Sequence, residues 1–184
     1  MNLEIIQFSP NSMYSIFIVR DYLHANDLHE LDNVLREQTQ IDQMNRTTNV
    51  KGSMTAYKSL VNITECKNLL AKAILTLDSI KKIRNFCQVK RRWQYAIKDC
   101  WGMKHSHGDY SAQHNHFPCP WVGSFYTSVP KPSPFMEFIE FNQKVELESN
   151  MLIIFPGMIN HSVSLNEALD ERISMAFNIE LEFE

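Results

Sequence analysis

What the 184-residue sequence lacks narrows the field before any motif is considered. Its four cysteines, at positions 66, 87, 100 and 119, are far apart and form no C-x-x-C pair. A chain of this size needs no disulfide staples, so a reduced, intracellular protein is expected. No apolar run approaches the roughly 20 residues of a membrane-spanning helix. No basic segment with an apolar run of signal-peptide form follows Met1, and a soluble, cytoplasmic chain without membrane contact is the expectation. An excess of one charge is missing too. The formal net charge is -3, which gives no general electrostatic reason for a nucleic-acid partner. The short cluster Lys90-Arg91-Arg92 beside Trp93 reads as a solvated turn. Internal repeats, low-complexity tracts and a second-domain boundary are also absent, so one domain is expected over 1–184.

What is present is ordinary globular material, with 44% hydrophobic and 21% charged residues. Tyr14 to Val19 form a β-branched and aromatic run that reads as a strand. Leu28, Leu31, Val34 and Leu35 recur at helical spacing within 26–38. Residues 40–59 are polar and irregular, and a loop of that length suggests a lid or binding loop. The clearest helix follows. Asn62 and Glu65 have capping-box spacing. Cys66, Leu69, Leu70, Ala73, Ile74, Leu77, Ile80 and Ile83 then keep one apolar stripe, with Lys81, Lys82 and Arg84 as cations at the expected C-terminal end.

After Phe86 the character changes to strands, predicted over 93–100, 121–129, 135–141, 145–148, 151–155, 161–165 and 172–182. Seven or eight short strands with turn residues between them suggest an antiparallel roll or sandwich. Helices first and strands afterwards predict a mostly β fold buttressed by N-terminal helices, the strand and helices over 1–90 and the roll over 91–184. The last strand is the most informative. Ile173, Met175, Phe177 and Ile179 lie on one face, and Arg172, Ser174, Ala176 and Asn178 lie on the other. If the apolar face packs under the helices, the polar face lines a cavity.

His114-Asn115-His116 supplies two imidazoles at i, i+2, which extended chain points to one side. His161 is a third, and neutral imidazole suits Fe(II), Zn, Cu and Ni alike. His105-Ser106-His107 is a second such pair, so the spacing alone is weak. Phe155-Pro156-Gly157 before His161, and Arg172 heading an alternating strand, strengthen the first pair. Cys119 is expected as a thiol near the pocket mouth, and Asp99 with Trp101-Gly102 as structural.

Two stretches carry a resemblance, GDYSAQHNHFPCPWVGSFYTSVP and NMLIIFPGMINHSVSLNEALDERISMAFNI. They resemble the iron- and 2-oxoglutarate-dependent oxygenases, in particular a branch of small phage and bacterial proteins related to prolyl hydroxylases. The resemblance spans roughly 93–181, with a fainter echo over 47–59. It implies a double-stranded β-helix, or jelly roll, with Fe(II) and 2-oxoglutarate as cofactors. It also implies O2 and a small-molecule or peptidyl substrate, release of succinate and CO2, and the host cytoplasm if the source is viral. By position, His114 and His161 resemble iron ligands. Arg172 resembles the cation for the far carboxylate of 2-oxoglutarate, assisted by Ser174, with Tyr126 as a further hydrogen-bond donor and Asn178 as a weaker cofactor-binding candidate.

The sequence departs from the family at one place. His116 stands where the facial triad carries Asp or Glu. Either His116 is the third ligand, which its i, i+2 spacing favours, or a carboxylate such as Asp109 completes the site. Two other readings compete. One is a cupin-like three-histidine dioxygenase that needs no 2-oxoglutarate. The other is a metal-free or zinc-stabilised jelly-roll binding module. A buried cation at Arg172 separates the first of these from the 2-oxoglutarate reading.

Overall fold

The computed structural model describes residues 2–7, 14–41, 48–80 and 93–183. The cation cluster at the expected end of the second helix, Cys87 and Lys90-Arg91-Arg92 lie outside the described residues, as does 42–47 of the expected loop. Two antiparallel sheets face each other. The larger is built from β1 (Asn2–Gln7), β2 (Ser15–Arg20), β10 (Met151–Pro156), β7 (Trp121–Ser128), β12 (Arg172–Phe183), β5 (Trp93–His105) and β4 (Ser53–Met54), in that spatial order. The smaller runs β3 (Val50–Lys51), β6 (Tyr110–His114), β11 (His161–Val163), β8 (Phe135–Phe138) and β9 (Gln143–Glu146). This is the expected jelly roll. Strands before residue 60 join both sheets, so the roll draws on the N-terminal part as well.

Two helices, α1 (Ala25–Ile41) and α2 (Thr64–Ser79), cover the outer face of the larger sheet. Their apolar stripes pack Leu31, Leu35, Cys66, Leu69, Leu70, Ala73 and Leu77 against the outward side chains of β12, Ile173, Met175, Phe177 and Ile179. The predicted capping box at α2 does not form. Ile63 is the N-cap, with no side-chain bond, because a backbone turn from Leu60 O to Ile63 N leads the chain into the helix. Ile80 is already extended, so the helix ends a turn earlier than the apolar stripe suggests.

The opposite side chains of the larger sheet face the smaller one. Toward one end they are large, with Ile16, Ile18, Val122, Met151, Ile153 and Phe155 packing on Met136, Phe138, Val145 and Val163. Along β12 and β5 the facing residues are polar or small, and close packing fails there. A cavity of about 360 Å³ opens at that place. Gly123 on β7 lets the Phe177 ring lie across the strand, since a Cβ there would meet the ring at 2.1 Å.

Candidate metal centre

The cavity is lined at one end by His114, His116 and His161, whose candidate ligand nitrogens lie within 4.8 Å of one another. His114 ends β6 and His161 opens β11, and the two are direct cross-strand partners with ring centroids 4.3 Å apart. His116 lies past the end of β6, so strand alternation does not position it. Its backbone N–H donates to Gly157 O at 2.7 Å, and Gly157 N–H donates to Pro120 O at 3.0 Å. A Cβ at Gly157 would meet Cys119 O at 2.1 Å, so glycine permits this close approach. The Trp101 indole stacks on His116, centroids 5.8 Å apart at 20°, and Phe155 meets His161 edge-on at 4.7 Å.

Tautomers follow from the acceptors. His114 Nδ1 lies 2.7 Å from Ala112 O, and His161 Nδ1 lies 3.1 Å from Ile159 O. A carbonyl only accepts, so each Nδ1 carries the proton and each Nε2 presents a lone pair to the shared centre. Burial keeps all three rings neutral: it lowers His114, pushes His116 down to about 4, and holds His161 well below its ordinary value. Neutral imidazoles with free lone pairs are what a divalent metal requires. Asp109 is not among the converging groups. Its carboxylate accepts the Ser106 N–H at 2.8 Å in the β5–β6 turn.

The other end of the cavity is cationic. Arg172 is 1% exposed, and its Nε and Nη2 have no hydrogen-bond partner. Only Nη1 reaches Ser164 O, at 3.5 Å. Its sequence neighbours are engaged elsewhere. Glu171 pairs with Arg36 at 3.2 Å and Lys104 at 3.0 Å, and the Asp170 carbonyl accepts from Asn166. Among the described residues Arg172 makes no ion pair. A buried guanidinium with idle donors is costly unless something anionic completes it. Tyr126 and Ser174, cross-strand partners on β7 and β12, line the same cavity, both nearly fully buried. Burial raises the Tyr126 phenol above its ordinary value, so it remains a hydrogen-bond donor.

Asn178 also lines the cavity, and its Nδ2 donates to Asp99 Oδ2 at 3.2 Å. Cys119 lies on the lining, as expected of a thiol near the mouth. Among the lining residues that sequence reasoning missed, three on β5 stand out. Asp99 and Trp101, read as structural, face the cavity from β5. His105, set aside as half of a chance pair, is 1% exposed, pairs across the strands with Arg172 and leaves Nδ1 without a partner. Its Nε2 meets Ser111 Oγ at 3.2 Å. Alternation along β5 was the available signal, since 99, 101, 103 and 105 share the inward face. His107, the other half of the pair, reaches the Glu167 carbonyl outside the cavity. Of residues 40–59, expected as a lid or binding loop, Asn49, Val50, Met54 and Tyr57 form part of the wall. Ser111 on β6 lines it as well.

Two buried histidines, His105 and His161, and two partly buried ones, His114 and His116, all held neutral, make the metal-free protein acid-sensitive. The unfolded chain protonates each near 6.5, whereas the folded chain resists, so the unfolded state binds more protons as pH falls below that value. Stability is therefore full above pH 6.5 and declines as pH falls below it, with His105 and His161 the most strongly depressed of the four. Thermal midpoints of metal-free protein should fall steadily between pH 6.5 and 4.5; a flat profile would mean these rings are hydrated.

Fold and site together define a class: a helix-buttressed jelly roll with converging imidazoles at one end of its cavity and a buried cation at the other. The sequence matches no family model and no curated protein. Solved structures do match. The viral collagen prolyl hydroxylase of Paramecium Bursaria Chlorella virus-1, solved with 2-oxoglutarate, aligns over 92% of this chain and 96% of its own, at TM-score 0.66 and 14% identity. A prolyl-4-hydroxylase of Pseudomonas putida aligns over 90% and 92%, at 0.65 and 16%. The non-haem α-ketoglutarate-dependent epimerase of nogalamycin biosynthesis aligns over 92% and 80%, at 0.67 and 11%. At these identities the likeness establishes the shared double-stranded β-helix. No described helix is long and apolar enough to cross a membrane.

Proposed function

We propose that this chain is a non-haem Fe(II)- and 2-oxoglutarate-dependent oxygenase that hydroxylates a small-molecule or peptidyl substrate. The observation that carries the reading is Arg172: a fully buried guanidinium with Nε and Nη2 unpartnered, lining the same cavity as three imidazoles. The imidazoles ask for a metal and the guanidinium asks for a carboxylate. A short dicarboxylate with a chelating 2-oxo acid end meets both demands. The likeness to a structure solved with 2-oxoglutarate, and to an enzyme named for dependence on it, supports the same choice.

In this reading His114, His116 and His161 hold the iron. Arg172 binds the far carboxylate, with the Tyr126 and Ser174 hydroxyls donating to it. When bound, iron and 2-oxoglutarate supply the oxidising chemistry, in which O2 is consumed, the co-substrate is decarboxylated to succinate and CO2, and the substrate is oxygenated. The chain contributes orientation and dryness. Trp101, Met103, Phe155 and Val163 wall the cavity and exclude water, which strengthens each polar contact inside it. Tyr57 and Phe117, 38% and 77% exposed, stand where the lining reaches the surface and offer apolar area to an incoming substrate.

The three-imidazole donor set favours a second reading, a cupin-like dioxygenase acting without 2-oxoglutarate, but such an enzyme leaves Arg172 without a task. Aerobic incubation with Fe(II) and 2-oxoglutarate distinguishes the two. The wild-type protein should form succinate at a slow basal rate even without its primary substrate, and His161→Ala should form none. Equal succinate from both would end the 2-oxoglutarate reading.

A further inference from the structure

His105 is buried as deeply as Arg172, each 1% exposed, and both line the cavity. The two are direct cross-strand partners on β5 and β12, so their side chains rise from one face with Cβ atoms about 5 Å apart. Asn166 braces the ends of both strands. Its Nδ2 donates to His105 O at 3.0 Å and to Asp170 O, two residues before Arg172, at 2.9 Å. Two edges of the imidazole are occupied. A Cβ at Gly52 would lie 3.3 Å from His105 Cδ2, and His105 Nε2 lies 3.2 Å from Ser111 Oγ. The remaining polar edge, Nδ1, is buried and has no hydrogen-bond partner. Arg172 Nε and Nη2 are in the same condition.

Three idle polar nitrogens on two facing, buried residues call for one explanation, since buried polar groups are nearly always hydrogen-bonded. Burial and the Arg172 charge keep the His105 ring neutral, so it carries one N–H and one lone pair. A lone pair at Nδ1 would repel an anion seated on Arg172, and the guanidinium itself makes no hydrogen bond to it. The Ser111 hydroxyl can donate to Nε2, which places the ring proton on Nδ1. We propose that His105 is a further binding residue for the co-substrate: its Nδ1–H donates to the carboxylate that Arg172 holds, and Ser111 selects the tautomer that makes this possible. The inference rests on Arg172 being the anchor of 2-oxoglutarate. It gives this end of the cavity a means of selection. A 2-oxo acid that ends in a methyl group leaves both the guanidinium and the His105 N–H unsatisfied, so it should be discriminated against twice.

The test compares 2-oxoglutarate with 2-oxopentanoate, which has the same chain length and no far carboxylate, by calorimetric titration of the Zn(II)-loaded protein. A hydrogen bond to a charged group corresponds to about 10- to 150-fold in affinity. His105→Leu should therefore bind 2-oxoglutarate about 10- to 150-fold more weakly and 2-oxopentanoate within a few fold of wild type. His105→Asn can present an amide N–H where Nδ1 stands and should recover most of the 2-oxoglutarate affinity. Equal losses for the two ligands in His105→Leu would make His105 a structural residue and overturn the proposal. If that variant does not fold, imidazole 15N shifts of the Zn(II)-loaded wild type decide. With 2-oxoglutarate bound, the His105 proton should reside on Nδ1 and its signal should move downfield, with no such movement for 2-oxopentanoate. A proton held on Nε2, or a signal indifferent to 2-oxoglutarate, overturns the proposal. Arg172→Met is the control for the reading beneath it. Unchanged 2-oxoglutarate affinity there means that Arg172 is not the anchor, a result distinct from a His105 that takes no part.

Discussion

Replacing Arg172 with methionine should make the metal-free protein more stable and, at the same time, nearly abolish 2-oxoglutarate binding. The two effects have one cause. The Arg172 guanidinium is 1% exposed, burial lowers its affinity for its proton, and only a 3.5 Å contact to Ser164 O satisfies it, so the empty fold carries a desolvated cation. Methionine has similar reach and no charge, and exchanging poorly compensated buried ionic groups for apolar ones is neutral or stabilising by about 1–4 kcal/mol. For a chain of this length that is a rise of several degrees in thermal midpoint. Removing one partner of a buried, hydrogen-bonded charge pair costs about 2–5 kcal/mol, which is roughly 30- to 4000-fold in 2-oxoglutarate affinity. Metal affinity should stay within a few fold, because the imidazoles lie at the other end of the cavity. Differential scanning calorimetry and anaerobic titrations read all three. A variant that loses stability and both affinities together would make Arg172 a structural residue.

His161→Ala should remove metal binding while leaving the fold in place. His161 is the most enclosed of the three imidazoles at 4% exposure, set between Phe155 and Phe138, and it pairs directly with His114. Loss of an outer hydrogen-bond partner already costs a metal site about 10–100-fold, so loss of a ligand should exceed 100-fold. A metal at 100 times its Kd stabilises the folded state by about 2.7 kcal/mol. The wild-type melting transition should therefore move upward with Co(II) or anaerobic Fe(II), and that of His161→Ala should not move at the same concentration. An equal shift in both proteins would place the metal elsewhere.

The parts of this molecule legible in its sequence are those encoded by local periodicity. The β12 alternation separated a helix-facing apolar side from a cavity-facing polar side, and the fold uses both as read. The stripes of α1 and α2 showed in the same way, because a helix covering a sheet must repeat apolar residues every three or four positions. Cross-strand register was not legible. Arg172 faces His105 and Asn178 faces Asp99 through pairing of strands more than sixty residues apart, and neither His105-Ser106-His107 nor Asp99 reveals this locally. The short strands β3, β4 and β6 were hidden for a related reason. Each is an edge or inner segment of two to five residues whose strand character comes from its neighbours. His116 converges with the other two imidazoles by a route the sequence did not show: the i, i+2 spacing pointed to it, while the Gly157 backbone holds it.

Under the proposed assignment, the same arrangement would make a ligand set without a carboxylate usable. Three neutral imidazoles leave the full charge of a divalent ion uncompensated, and Arg172 adds a positive charge in the same cavity. A dianionic chelating co-substrate answers both. Affinity for 2-oxoglutarate should therefore depend strongly on the presence of the metal, and the reverse must hold by linkage.

The most direct test is to add 2-oxoglutarate to the Fe(II)-loaded protein without oxygen and record its visible absorption. Bidentate coordination of a 2-oxo acid to Fe(II) should produce a metal-to-ligand charge-transfer band that saturates with one equivalent of bound 2-oxoglutarate and is absent from His161→Ala. A folded, iron-loaded wild-type protein that shows no such band at saturating 2-oxoglutarate would contradict the assignment of this cavity as a 2-oxoglutarate-dependent iron centre.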